Sequence, residues 1–290
     1  MEYLVAGEVV VSDENREYVS VSRLTMYARC PAQYAFRYME GLVKPPGVAM
    51  LVGSGTHTGA EVGMKHKATS GENMRPDDVR DAAVAGFDGR LGDGDVELTA
   101  DEQSRGRPVV VGEARDRVAA LSHFWAAAIQ PGYWPMDAES VERRFRLPIE
   151  SDLDLMGVVD LVTREGAVVD WKAGKRAVSQ NEADSSLQLT AYALHHQWAA
   201  GRPPSEVQLA VIQEARETKH YVRRSSRDRT DYAILLRRIE MMKQAERAGI
   251  FPPCNPDNWW CSVRFCGYWR ECPHVNSERL ARATAREVGQ

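Results

Sequence analysis

The amino-acid sequence predicts an α/β protein in which a mixed β-sheet is flanked by helices. The first observation is a change of hydrophobic period, from helical to alternating, at Glu139. Five segments after this point have the alternation or the β-branched content of strands: 140–149, 155–164, 167–171, 207–213 and 220–224. The second observation is that two helical patterns, 183–200 and 228–248, interrupt and follow these strands. This order is typical of a mixed sheet that carries helices.

The segment before the sheet, residues 20–135, is predicted to be mainly helical. A helical pattern over 23–42 follows Ser22, which is a suitable N-cap, and Pro31 is expected to kink or break it. Two further helices are expected: 76–90 and 112–129. The chain is therefore expected to form a single domain, 1–290, in three parts: a helical part at 20–135, a core at 138–249 and a cysteine-rich tail at 250–275.

Composition and charge bound the class of protein. The 290 residues are 43% hydrophobic, and they include no run of about 18 apolar residues that would predict a transmembrane helix. The first residues, MEYLVAGEVVVSDENREY, lack the basic leader and the long apolar core of a secretory signal. We therefore expect a cytoplasmic protein with no membrane partner. The formal net charge of −4 does not by itself predict binding to nucleic acid.

Two local clusters of basic residues nevertheless offer sites for phosphate groups. One cluster lies in the first predicted strand: Arg143, Arg144 and Arg146. The other lies around the last predicted strand: Lys219, Arg223, Arg224, Arg227 and Arg229. Such cations neutralise phosphates when they face a nucleic acid. A solvated strand or helix face is an equally good interpretation of each cluster alone.

The stretch from Gly157 to Tyr192 contains the main candidates for metal-binding and catalytic residues. Its two apolar segments are joined by a tight turn at 164–166, which predicts a hairpin. Asp160, Asp170 and Lys172 would then converge on one side of the sheet. Two carboxylates hold Mg²⁺ well, and a lysine beside them stabilises a charged phosphate. Aspartates that merely end two strands are the competing interpretation, because an Asp-x-Lys pattern alone is common.

The five cysteines are not expected to form disulfides, because their number is odd and no export signal precedes them. Four of them lie in the tail with the spacing Cys254-x6-Cys261-x4-Cys266-x5-Cys272. Four thiolates suit either zinc or an iron–sulfur cluster, and the spacing does not decide between the two. Unligated, buried cysteines are the remaining interpretation.

The order of five features resembles the RecB-type branch of the PD-(D/E)XK nuclease superfamily: His57, Asp160, Asp170-Trp171-Lys172, Gln188 and Tyr192. The resemblance implies a restriction-endonuclease-like sheet and a divalent ion, Mg²⁺ or Mn²⁺. It implies that His57, Asp160, Asp170 and the carbonyl of Trp171 bind this ion. It also implies that Lys172 is catalytic together with the two aspartates. Two residues would position the lysine or contact DNA: Gln188 and Tyr192. A buried histidine in a helix contact is the alternative for His57.

The resemblance extends to the cysteines. Iron–sulfur members of this branch, which include the AddB nuclease and the CRISPR-associated exonucleases, use one cysteine before the nuclease core and three in a C-terminal tail. Cys30 matches the first, and three tail cysteines match the others: Cys261, Cys266 and Cys272. A [4Fe–4S] cluster is therefore expected, with zinc as the alternative. Cys254 is then the one cysteine that has no counterpart among these ligands.

Together these features predict a metal-dependent DNA exonuclease that acts on single-stranded ends. DNA is the expected partner, along with recombination, replication or CRISPR-adaptation proteins. The alternative is a structural or recruitment subunit that binds DNA in a recombination or CRISPR-adaptation complex and has little activity of its own. Nuclease assays on end-labelled and circular DNA distinguish the two.

Overall fold

A computed structural model of the chain describes residues 16–92, 94–275 and 281. The outer parts of the predicted domain, 1–15 and most of 276–290, lie outside the described residues. The described elements form a mixed sheet flanked by helices, which confirms the predicted fold class.

The sheet has six strands: β1 Glu17–Ser20, β2 Val141–Pro148, β3 Leu153–Val162, β4 Val168–Gly174, β5 Val207–Gln213 and β6 Lys219–Ser225. Strand β3 is its organising member. It pairs with β2 along one edge, and along the other it meets β1 at its start and β4 at its end. The sheet then continues from β4 to β5 and β6. The β1–β3 and β4–β5 pairs are parallel, and the others are antiparallel.

Nine α-helices are described: α1 Val21–Arg29, α2 Pro31–Tyr38, α3 Val48–Ser70, α4 Pro76–Gly92, α5 Ala100–Arg105, α6 Arg107–Ala128, α7 Gln180–Asp184, α8 Leu187–Ala200 and α9 Arg229–Ala248. The predicted break at Pro31 is confirmed, since Cys30 separates α1 from α2. The predicted N-cap was wrong. Ser20 caps α1 and accepts a hydrogen bond from the Arg23 N–H, because Ser22 already lies inside the first turn. None of the helices in the described ranges is long and apolar enough to cross a membrane.

Helices cover both faces of the sheet, so its central strands are apolar on both sides. On β5, Leu209 and Val211 belong to the core formed with α8 and α9. Ala210 and Ile212, which alternate with them, belong to the core formed with α3, α4 and α6. Helix α3 packs tightly because a Cβ atom added to Gly59 would lie 2.9 Å from the Cβ of Ala83 on α4.

Candidate metal centre

The centre of the site is a fork between β3 and β4. The two strands pair only next to their turn, through Leu161–Val169 and Val162–Val168, and then separate. Beyond these pairs, the N–H of Trp171 donates to Oδ2 of Asp160 at 2.7 Å. A side-chain carboxylate thus replaces the backbone carbonyl that an unbroken ladder would provide. The predicted hairpin is present but short, and the opening between its strands exposes Asp160 to groups from other elements.

His57 reaches this opening from α3. Its Nε2 lies 2.9 Å from the carbonyl oxygen of Trp171, and its Nδ1 lies 3.6 Å from Oδ2 of Asp160. The ligand atoms of His57, Asp160 and Glu142 all lie within 4.8 Å of one another, which is close enough to share one metal ion. The family resemblance implied that His57, Asp160 and the carbonyl of Trp171 lie together. Glu61, one turn after His57 on α3, forms an ion pair with Lys65 on the same helix.

Glu142 is the residue that the sequence analysis missed. Its Oε1 lies 3.9 Å from Nδ1 of His57, and its backbone has the left-handed φ of +51°, which glycine adopts without strain and other residues adopt rarely. The pairs on either side, Val141–Leu161 and Arg143–Val159, set it opposite Asp160. The sequence did contain a signal, because a hairpin centred on the polar loop at 150–152 pairs position 142 with position 160.

Asp170 provides a buried anion beside this group. Its side chain is fully buried, and its Oδ2 lies 2.7 Å from the ammonium nitrogen of Lys172 as an ion pair. Its Oδ1 accepts no hydrogen bond from the described residues. A buried carboxylate oxygen without a partner is costly unless a cation or an ordered water completes it. The donor set therefore fits a divalent cation that prefers oxygen ligands.

The buried negative charges at the site favour the binding of protons or of a metal cation. Burial and the nearby charge of Asp170 raise the pKa of Asp160 to about 7. Burial alone would lower the pKa of His57, but its contact with Glu142 and the charges of Asp160 and Asp170 raise this pKa to about 9. Without a metal, the site thus holds protons that a cation would displace.

Lys172 is held by a chain of polar side chains from α8. Its Nζ donates to Oε1 of Gln188 at 3.1 Å, and Nε2 of Gln188 donates to the hydroxyl of Tyr192 at 2.7 Å. Burial opposes the charge on Lys172, but Asp170 and Asp160 outweigh it and raise the pKa of Lys172 above its ordinary value. The lysine is therefore a cation that is fixed in place beside Asp170.

The cysteines form a second cluster. All five line one cavity of about 300 Å³ between the α1–α2 junction and the tail: Cys30, Cys254, Cys261, Cys266 and Cys272. The N–H of Cys254 donates to Sγ of Cys30 at 3.4 Å. Backbone N–H groups of three tail residues also bond to cysteine sulfurs, that of Tyr268 to Cys266 and those of His274 and Val275 to Cys272.

Burial raises the pKa of three of these thiols, Cys254, Cys266 and Cys272, and so favours their protonated form in the absence of a ligand. It raises the pKa of Cys254 to about 12 and that of Cys266 to about 11. The backbone hydrogen bonds to Cys266 and Cys272 act in the opposite direction and favour the thiolate. The structure thus brings the four cysteines named from the sequence together, and it adds Cys254 to their cavity.

A comparison with models of protein families agrees with this fold. The family model of the PD-(D/E)XK nuclease superfamily matches residues 18–273. No curated protein matches the sequence. Among solved structures, the chain is similar to a crystal structure of a candidate exonuclease from Eubacterium rectale, with 12% sequence identity and a TM-score of 0.49. The similarity covers 93% of this chain and 96% of that one.

Proposed function

Because the chain belongs to the PD-(D/E)XK nuclease superfamily, whose model spans residues 18–273, we propose that it is a metal-dependent DNA exonuclease of the RecB-like branch. The observation that carries the proposal is the fork between β3 and β4. It gathers the possible metal ligands His57, Glu142 and Asp160 next to the ion pair of the buried Asp170 with Lys172. The Gln188–Tyr192 pair behind the lysine also supports the RecB-like assignment.

The proposed metal ligands are His57, Glu142, Asp160, Asp170 and the carbonyl of Trp171. The carboxylate and carbonyl oxygens in this set suit Mg²⁺ and Mn²⁺. A divalent ion supplies Lewis-acid polarisation of the phosphate and a bound water of lowered pKa. The Oδ1 of Asp170 supports this assignment, since no group of the described residues donates a hydrogen bond to it in compensation for its burial.

The protein's own contribution is to place the ammonium group of Lys172 and to hold it still. The ammonium group of Lys172 is positioned to stabilise the negative charge that develops on a transferring phosphate. Gln188 accepts a hydrogen bond from it, and Tyr192 in turn fixes the amide of Gln188. Positioning of this kind accounts for a large part of phosphoryl-transfer catalysis, because little covalent chemistry is left to the protein.

The proposal is tested with Lys172→Ala and Asp160→Ala, and with Lys65→Ala, a surface substitution on α3, as the control. Hydrolysis of end-labelled DNA in Mg²⁺ or Mn²⁺ should fall at least about 100-fold in both site variants and stay unchanged in the control. Mn²⁺ binding should be lost in Asp160→Ala alone, because Lys172 is not a ligand. Full activity of Lys172→Ala would refute the site assignment.

The same assay tests the mode of attack when it includes circular single-stranded DNA. An exonuclease needs an end, so it should degrade the linear strand and leave the circle intact. Cleavage of the circle would make the protein an endonuclease. Tight binding of the linear strand without hydrolysis would instead support the structural or recruitment role.

We further propose that four cysteines hold an iron–sulfur cluster: Cys30, Cys261, Cys266 and Cys272. Support comes from their common cavity and from backbone N–H groups directed at the sulfurs, which stabilise thiolate ligands. A zinc ion held by the same thiolates is the alternative.

Anaerobic purification, a visible absorption spectrum and metal analysis test the cluster. The wild-type protein should be coloured and carry about four iron atoms per chain. Cys30→Ser should lose the colour and the iron, whereas Cys254→Ser, a change in the same cavity, should keep both. A colourless protein with stoichiometric zinc would contradict the proposal.

A further inference from the structure

Trp259 and Phe265 form an exposed aromatic pair on the tail. Trp259 is 56% exposed and Phe265 is 50% exposed, which makes them the two most exposed large aromatic side chains among the described residues. Their ring centroids are 4.8 Å apart with the planes at 89°. Large aromatic rings that remain in water next to each other usually mark a binding surface.

Each ring of the pair has an arginine beside it. The guanidinium carbon of Arg264 lies 5.3 Å from the centre of the Phe265 ring, and that of Arg176 lies 5.8 Å from the centre of the Trp259 ring. Arg176 also forms an ion pair with Glu182. Aromatic faces combined with cations suit a ligand that carries both flat rings and negative charge.

Arg176 connects the pair to the chain segment that follows the proposed catalytic lysine. Arg176 follows Lys172 by four residues, which span at most about 14 Å of extended chain. The tail that carries the pair is fixed to the rest of the protein by the hydroxyl of Tyr268, which donates to the carbonyl of Leu42 at 2.6 Å. The aromatic pair is therefore held by ordered contacts, with Trp259 beside the segment that follows β4.

We propose that Trp259 and Phe265 form a stacking platform for the bases of single-stranded DNA, with Arg176 and Arg264 contacting the adjacent phosphates. The inference rests on the proposed nuclease function and specifies its substrate. Stacking tolerates any sequence because every base has a π-face, and a duplex hides these faces from the protein. The platform thus selects unpaired strands and delivers them towards Lys172. An apolar protein partner would gain nothing from the two arginines.

The test is binding of a fluorescein-labelled single strand, measured by anisotropy without divalent metal so that hydrolysis does not interfere. Trp259→Ala should raise the Kd about 5- to 150-fold, as expected for the loss of stacking on one base. Trp259→Phe should retain most of the affinity. The control is Met241→Ala, which shortens a side chain on α9 that is 54% exposed, and it should bind like the wild type.

Two further measurements separate stacking from other roles. On an abasic single strand, Trp259→Ala should bind like the wild type, because no base remains to stack. The slope of log K against log salt should become shallower by about 0.7 in Arg264→Ala and stay unchanged in Trp259→Ala. Trp259 does not line the cysteine cavity, so its replacement should leave the tail's metal content intact.

The outcomes distinguish this inference from the proposed function. If Trp259→Ala binds the single strand as tightly as the wild type while the wild type hydrolyses DNA, the stacking proposal is refuted and the nuclease proposal is supported. Equal weakening on duplex, abasic and ordinary strands would also overturn the platform. If the wild type binds single strands through Trp259 but no metal supports hydrolysis, the platform stands and the nuclease proposal fails.

Discussion

Replacing Glu142 by glycine, alanine and glutamine separates the strain of its backbone from the function of its carboxylate. The left-handed φ of +51° costs a residue with a Cβ atom roughly 1–2 kcal/mol, and glycine avoids this strain. Glycine in turn loses about 0.5–1 kcal/mol relative to alanine through the freedom of the unfolded chain. Glu142→Gly should therefore be more stable than Glu142→Ala, by about 0.5–1 kcal/mol.

Urea unfolding of the metal-free protein measures this difference, and Arg144 provides the matched control. Arg144 lies on the same strand, is exposed and has an ordinary backbone conformation. At that position glycine should be less stable than alanine by about 0.5–1 kcal/mol, so the sign should reverse between the two sites. Equal signs at Glu142 and Arg144 would refute the argument from strain.

The carboxylate is tested by Mn²⁺ titration of the same variants. Glu142→Gln keeps the length of the side chain but removes its charge, and it should bind Mn²⁺ at least about tenfold more weakly than the wild type. Glu165→Gln, an exposed change at the turn between β3 and β4, should bind normally. Unchanged affinity in Glu142→Gln would remove Glu142 from the ligand set.

Two other predictions follow from the site and from the sheet that supports it. Mn²⁺ binding at pH 7 should release roughly one to two protons, because the pKa of His57 is about 9 and that of Asp160 about 7 without metal; apparent affinity should thus weaken as pH falls through this window. Calorimetry in buffers of different ionisation enthalpy counts these protons, and a count of zero would contradict the pKa directions. Gly157→Ala should destabilise the protein by about 1–3 kcal/mol in urea, since its Cβ would lie 2.6 Å from a ring carbon of Phe145. Gly174→Ala, where nothing lies within 4 Å, is the control, and a similar loss there would exclude crowding as the cause.

The parts of the fold that could be predicted from the sequence are those with strong local patterns. Strand β5 lies at 207–213 as predicted, because its residues are apolar on both faces and end at clear turns. The sequence predicts either a short strand or a loop for residues 1–19, because the four residues of strand β1 are too few to show a period. Its pairing with β3 joins segments more than 130 residues apart, so no local signal indicates it.

The site also has features that the local sequence predicts and features that it does not. The order of His57, Asp160 and Lys172 is visible in one dimension, and the structure brings these residues together. The separation of β3 from β4 is not visible, because the point at which the two strands stop pairing leaves no mark on their local hydrophobic pattern. Glu142 was missed because its role depends on strand register and on an uncommon backbone conformation, and neither changes the local hydrophobic pattern.

The contact between Cys254 and Cys30 has a consequence for the time at which the protein becomes complete. The two residues are 224 positions apart, and ribosomes add about 5–20 residues per second. Cys30 therefore waits about 11–45 s after its own synthesis before Cys254 exists, and closing so long a loop costs about 5 kcal/mol of chain entropy. During that interval the tail segment that contains Cys254 does not yet cover Cys30 at the α1–α2 junction. The cavity, and with it the surface carrying Trp259, forms only after the helices and strands that surround the candidate metal centre have been made.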